Sequence, residues 1–376
     1  MASCVRSGYD GVGLRSHAMK CHPTPFVLNC SRVGGAGGLR TFANELMNAM
    51  IDHGLECRAL LPADYSVPPG VQATLTPASL AGNSRASLVR PIKWLAYSRF
   101  GLPIRRDQRV LGTTHHVLPG RSKQIVTIHD LRPYFLPDTP VQRFYFHHML
   151  PRALNRCDGI LTVSQTSKQL IAEVYKVSLD RIAVVPNAIR RPVPGLLAPR
   201  TPPRPYLLAI GASWAHKNIE SLLTRYPIWS ECYSLKIVGG RGQYRSSLEV
   251  MASSLGIANR IEFLSNLSTE QLDELYAGCS ALVYPSKDEG FGLPPLEAMA
   301  RMRPVIVADI PVFRELYGPY AFYVQLNDET SWHQAFSALE RVGRTELEAA
   351  RDYAFAYDRD RMFRSLQTAL SQFWPL

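Results

Sequence analysis

Short, continuous runs of branched and aromatic apolar residues recur along the chain, at 26–29, 58–61, 125–128, 160–163, 182–185, 206–210, 235–238, 261–264, 281–284 and 305–307. They do not alternate with polar residues, which is the pattern of strands covered on both faces in a parallel sheet. Between many of them, at 39–52, 167–175, 218–225, 269–278 and 294–301, apolar positions recur at helical spacing. Strand, helix and strand in this rhythm predict an α/β fold of doubly wound parallel sheets.

Two breaks organise the pattern. A proline-rich stretch at 190–205 carries no strand signal and reads as an exposed, semi-rigid linker, and an amphipathic helical tail at 358–376 closes the chain. At 376 residues one ordinary core is exceeded, so two domains are expected, at 1–195 and 206–357, joined by a linker at 196–205. Residues 1–20 are polar and basic without the apolar core of a secretion signal, and are expected to be disordered; Met19 is a natural start for the first strand.

Composition narrows the function classes. No apolar run is long enough to span a bilayer, and seven scattered cysteines without metal spacing suit reduced thiols, so a cytoplasmic protein is expected. A formal charge of +11 points to an anionic partner: nucleic acid, acidic lipid or a phosphorylated substrate. Arg85, Arg90, Lys93, Arg99, Arg105, Arg106, Arg109, Arg121 and Lys123 cluster with Trp94, Tyr97 and Phe100. That cluster suits either a solvated basic face or peripheral contact with an anionic membrane. A nucleic-acid-binding reading rests on charge alone and finds no motif, so no nucleic-acid partner is expected.

The segment YPSKDEGFGLPPLEAMA, 284–300, carries the most chemistry. A strand runs into a glycine-bearing turn and then a helix with Pro294 and Pro295 in its first turn. Glu289 in the turn and Glu297 in the helix are too far apart in sequence for one job on one bond; they suit two hydroxyl-bearing parts of an extended ligand. Gly290 and Gly292 allow close backbone approach, and free N–H groups at the helix start suit a phosphate. The plainer alternative is a solvated loop acid followed by an acid favoured by the helix dipole. Lys217 stands where a strand end turns into a helix, and can neutralise a diphosphate leaving group or simply be an exposed helix-starting lysine. His129 ends a strand and faces a cleft or fills a polar niche in the core, and Asp130 beside it takes a supporting role at most. The glycine loop RVGGAGGLR, 32–40, lets an anion approach but is no dinucleotide fingerprint, and a plain tight turn fits it too.

The run EGFGLPPLE resembles the signature of retaining glycosyltransferases of family 4, with two glutamates flanking seven residues. The likeness continues through VGGAGGLRTFANEL, QIVTIHDLRPYFLP, ILTVSQTSKQLI, RIAVVPNAI, LLAIGASWAHKNIESLL, LKIVGG, IEFLSNLSTEQLDELYAGCSALVYP and ADIPVFRELYG. It implies a GT-B fold, two Rossmann-like domains facing a central cleft, with the acceptor on the first, a nucleotide sugar on the second, and the tail returning to the first. It implies that Glu289 holds donor-sugar hydroxyls with the Phe291 and Gly292 backbone, that Glu297 binds the ribose, and that His129 contacts the donor sugar. Gly290 and Leu293 complete that loop. Gly35, Gly37 and Gly38 would face the donor phosphates across the cleft. Where the family commonly carries an arginine before the lysine, Ser213 and Trp214 stand here, so Lys217 becomes the main diphosphate contact, with Arg241 or Arg245 as substitutes. Ser164 and Asn187 also match the family. No cofactor or metal is required; the co-substrate is a nucleotide sugar, expected to be GDP-mannose or a related GDP-hexose. The expected acceptor is a glycan, free or polyprenyl-diphosphate-linked, in surface polysaccharide synthesis at the inner face of the cytoplasmic membrane. A UDP-sugar donor, a sugar-nucleotide epimerase and a glycogen-type phosphorylase are the competing enzyme readings.

Overall fold

The computed structural model describes residues 26–34, 37–56, 58–80, 93, 96–102, 104–105, 108–118, 123–192 and 204–375. The expectations for residues 1–20, Gly35, most of the linker, and Arg85, Arg90, Trp94, Arg106 and Arg121 lie outside them.

Thirteen described strands form two parallel sheets. The first holds β1 (Val27–Asn29), β2 (Arg58–Leu61), β3 (Gln72–Leu75), β4 (Val110–Gly112), β5 (Gln124–Thr127), β6 (Gly159–Thr162) and β7 (Ile182–Val184), in the order β3-β2-β1-β4-β5-β6-β7. The second holds β8 (Tyr206–Ile210), β9 (Ser234–Val238), β10 (Ile261–Leu264), β11 (Ala281–Tyr284), β12 (Val305–Ala308) and β13 (Phe322–Val324), in the order β10-β9-β8-β11-β12-β13. Both are doubly wound sheets, and the ten strands expected from sequence are present. Three more were not expected. The edge strand β3 is largely exposed, β4 is short and lies within the basic stretch, and β13 is a partly buried edge strand of three residues. None of them carries a long apolar run.

Strand order has a direct consequence for chemistry. Winding reverses between β1 and β4 in one sheet and between β8 and β11 in the other, so the loops leaving their carboxyl ends open a crevice at each switch point. The central strands are buried along their full length. Trp229 and Trp332 are wholly enclosed beneath the second sheet, each contributing about 2–3 kcal/mol of apolar burial.

The chain passes between the sheets twice. Near the first passage Ile189 N donates to Tyr357 O at 2.8 Å, tying it to the second. The final helix, Arg359–Phe373, then lies against the helix Gly38–Asp52 of the first half. Arg359 pairs there with Glu45 at 2.6 Å and Asp52 at 3.2 Å, and the His53 ring stacks on Phe363 at 4.1 Å.

Candidate active site

The site is built from loops at the carboxyl ends of β8 and β11, adjacent strands of the second sheet. After β8 the chain turns at Gly211, with φ of +115°, makes a short 3-10 turn over Ala215–Lys217, and passes through Asn218 in the left-handed region before the helix Ile219–Thr224. A side chain at Gly211 would lie 2.6 Å from Lys217 Cγ, so glycine is what lets the lysine fold back toward β11. Lys217 Nζ donates to Tyr284 OH at 2.6 Å and to Glu289 Oε1, and Tyr284 OH donates to the same Glu289 oxygen at 2.8 Å. Lysine and glutamate, 72 residues apart, are thus each other's partners. Burial raises the Glu289 carboxyl pKa, but the charge and hydrogen bond of Lys217, with His216 and Tyr284, outweigh it and hold the group below its ordinary value. Glu289 is therefore an anion held in one rotamer by two donors.

The loop after Glu289 is defined by close contacts. A side chain at Gly290 would sit 1.9 Å from His129 O, and one at Gly292, where φ is +93°, would sit 2.3 Å from Tyr317 OH. Tyr317 OH donates to Gly292 O at 2.6 Å. Phe291 and Leu293 turn their side chains into the core, Phe291 meeting Tyr357 edge-on at 5.7 Å, so both can serve a ligand through the backbone alone. Glu297, on the helix Leu293–Met299, accepts from Tyr276 OH at 2.7 Å.

Ser213 is exposed and its Oγ accepts from Gly240 N at 2.8 Å, joining the loops after β8 and β9. Arg245 is bound to Glu249 at 2.8 Å and lies over the Phe263 ring, which leaves Arg241 as the exposed guanidinium of that turn.

From the first sheet, His129 follows β5 and faces the Glu289 loop with its backbone carbonyl. Its Nε2 lies 2.9 Å from Thr113 O, an acceptor only, so the proton is on Nε2 and Nδ1 is free to accept. Burial pushes its pKa down to about 4, and the ring is neutral near pH 7. Asp130, expected to take a supporting role at most, also reaches this loop. Its carboxyl accepts from Arg132 N at 3.0 Å, and burial, with Asp288 and Glu289 nearby, pushes its pKa up to about 6. Ser164 Oγ donates to Gly290 O at 2.8 Å. Asn187, buried by the first passage between sheets, has a side-chain oxygen without a partner among the described residues. Gly37, with φ of +127°, starts the helix Gly38–Asp52, and no described residue lies within 4 Å of a side chain placed at Gly37 or Gly38.

The structure brings His129, Lys217, Glu289, Gly290 and Gly292 into one cluster, while Ser213 and Arg241 are exposed on the joined loops after β8 and β9. Sequence reasoning missed Tyr284 and Tyr276, the two phenols that hold the glutamates. Tyr284 had a signal, since it is the last residue of a central strand and so faces the crevice; Tyr276 sits on a helix with no local sign of its role.

The family model "Glycosyltransferase Family 4" matches residues 36–191, and the model "Glycosyl transferases group 1" matches 199–354. Over 346 residues the chain is 36% identical to the O-antigen chain mannosyltransferase RfbU of Salmonella typhimurium, covering 89% of this chain and 96% of that protein. It is 30% identical over 227 residues to O-antigen chain mannosyltransferase B of Escherichia coli, covering 56% and 60%. Among solved structures, sucrose-phosphate synthase from Thermosynechococcus elongatus superposes with a TM-score of 0.74 at 18% identity, covering 93% of this chain and 99% of that one. WaaG, a glycosyltransferase involved in lipopolysaccharide biosynthesis, gives 0.69 at 16% identity, with 92% and 98% covered.

Proposed function

The chain belongs to glycosyltransferase family 4 and has its GT-B fold, and from that premise we propose that it transfers mannose from GDP-mannose, with retention, to a lipid-linked glycan in O-antigen-type polysaccharide synthesis. The observation that carries the reading is the Lys217–Tyr284–Glu289 cluster at the switch point of the second sheet, with Glu297 on the helix that follows. It joins a cation suited to a diphosphate, a fixed carboxylate suited to sugar hydroxyls, and a second carboxylate suited to a ribose. The names of the mannosyltransferase relatives at 30% identity or more support mannose as the sugar.

In this mechanism the acceptor oxygen attacks the anomeric carbon as the bond to the diphosphate breaks, and the electron pair of that bond goes to the phosphate oxygen. The departing phosphate takes the acceptor proton, and Lys217 with the loop amides offsets its charge. Glu289 has one oxygen already bound to two donors, which suits fixed recognition of hydroxyls better than covalent attack. Neutral His129, with Nδ1 able to accept, suits a sugar hydroxyl from the opposite wall. Closure of the two domains excludes water from the reacting centre.

No described helix is long and apolar enough to cross a membrane. Peripheral contact is proposed instead for the segment 135–152, where Phe135, Leu136, Val141, Phe144 and Met149 are exposed beside Arg143 and Arg152. That combination suits an anionic bilayer surface. The proposed surface lies downstream of the basic stretch singled out in the sequence.

The test is thermal shift with a nucleotide-sugar panel, since a ligand selective for the native state raises Tm. GDP-mannose is expected to raise Tm, and Glu297→Ala to abolish the shift. A response to UDP-sugars alone discards the donor and keeps the site; no response to any nucleotide or nucleotide sugar overturns the reading.

A further inference from the structure

The two domains also meet at the rim of the cleft through a contact that the chemistry above does not use. The helix Gln165–Tyr175 of the first domain begins at Ser164, whose Oγ accepts the Ser167 N–H at 3.1 Å. The N–H groups of Gln165 and Thr166 have no carbonyl behind them inside that helix. Both donate to one side chain of the other domain: Gln165 N to Glu315 Oε1 at 2.7 Å, and Thr166 N to Glu315 Oε2 at 2.7 Å. Thr166 Oγ1 adds a third bond, to Oε2, at 2.6 Å. A carboxylate at a helix start is favoured by the helix dipole and by charge-assisted bonding to the N–H groups.

The hydroxyl hydrogens of the same helix terminus are directed into the donor loop. Ser164 Oγ donates to Gly290 O at 2.8 Å and Ser167 Oγ to the same oxygen at 3.4 Å. One helix end therefore grips the second domain twice, through the helix Pro311–Tyr317 that carries Glu315 and through the residue next to Glu289. Gln165 is exposed, and Thr166 and Glu315 are partly so. Water can take the place of each partner if the domains part, so the contact can be made and broken without stranding a buried polar group.

From this geometry we infer that Glu315 is a positioning residue, an interdomain latch that holds the closed arrangement and, through Ser164 and Ser167, fixes the Gly290 carbonyl and the adjacent Glu289. Its catalytic consequence rests on the donor-site reading above; its structural consequence does not.

The experiment compares wild type, Glu315→Ala and Glu315→Gln as full-length chains. Interdomain distances are read between spin labels on non-natural amino acids at Lys176 and Val250, both exposed. Turnover of the transfer and GDP affinity by calorimetry are measured alongside. Glu315→Ala is expected to lengthen the distance distribution and lower kcat at least about tenfold, with GDP affinity within about twofold because the nucleotide site lies in one domain. Glu315→Gln, which keeps one acceptor oxygen, should fall between. A residue that only capped a helix would lower Tm and leave the distances unchanged. Unchanged distances with kcat within about twofold of wild type overturn the latch, and if Glu315→Ala does not fold, Glu315→Gln decides by the same readouts. Wild type that binds no nucleotide, yet shows distances dependent on Glu315, would sink the donor-site reading and leave the latch standing.

Discussion

Glycines line both walls of the cleft, but they do opposite work. On the second-domain wall they are crowded: a side chain at Gly290 would meet His129 O at 1.9 Å, and one at Gly292 would meet Tyr317 OH at 2.3 Å. On the first-domain wall, a side chain at Gly37 or Gly38 would meet no described residue within 4 Å. The crowded glycines let protein approach protein, so the loop carrying Glu289 is held before any substrate arrives. The open ones leave room for something that is not protein. The walls differ in polar partners too: Glu289 and Glu297 each have a phenol donor, and Glu289 a lysine as well. Such pre-organisation is what differential stabilisation of a departing diphosphate requires.

The severest way to break this contrast is Gly290→Ala. The new methyl cannot coexist with the His129 carbonyl, so the two walls must separate. Steady-state kinetics are expected to show kcat/KM down by at least about 100-fold, the scale of a misplacement near 1 Å, and Tm should fall. Near-normal activity would mean the walls are not held as described. Next is Lys217→Ala, which removes the countercharge and leaves Glu289 enclosed without its cation. A loss of about 100- to 1,000-fold in kcat is expected, read under saturating donor.

Acid is the third probe. Burial pushes His115 down to about 3 and His129 and His216 to about 4. Unfolded, these rings take protons near 6.5, so the stability of their neutral folded forms is fully present above that pH and is lost as pH falls toward 4. Asp130, pushed up to about 6, has the opposite sign: its contribution is present below its ordinary value and lost as pH rises through about 6. Burial also lowers His116 and raises Asp288, so with four rings against two acids Tm measured from pH 7 to pH 5 should fall, and His129→Asn should flatten the slope. A Tm that rises on acidification would show that the acids govern instead.

Smaller effects sharpen the comparison. Tyr284→Phe removes one neutral donor from Glu289 and leaves Lys217 in place, so kcat should drop only about 3- to 10-fold, the worth of roughly 1 kcal/mol. Gly38→Ala tests the open wall. With no described residue within 4 Å of the new methyl, Tm should hold or rise by about a degree, while kcat/KM falls if substrate backs onto the loop. A clear loss of Tm would mean that this wall is packed after all.

Much of this was legible in the chain. Continuous apolar runs marked ten strands because a strand covered on both faces needs apolar residues at every position. The proximity of Glu289, Gly290 and Gly292 to a helix start was local and could be read directly. What local pattern could not supply was the neighbour. Lys217 meets Glu289 because β8 pairs with β11, and Gly290 meets His129 because the two sheets face each other. Tyr276 reaches Glu297 from a separate helix, and Glu315 caps a helix of the other domain across a sequence separation of 150 residues. Periodicity reports which face of an element is buried, since that depends on residues a few positions apart. Which elements share a border depends on strand order and domain closure, set by the packing of the whole chain, and there only the tertiary structure decided.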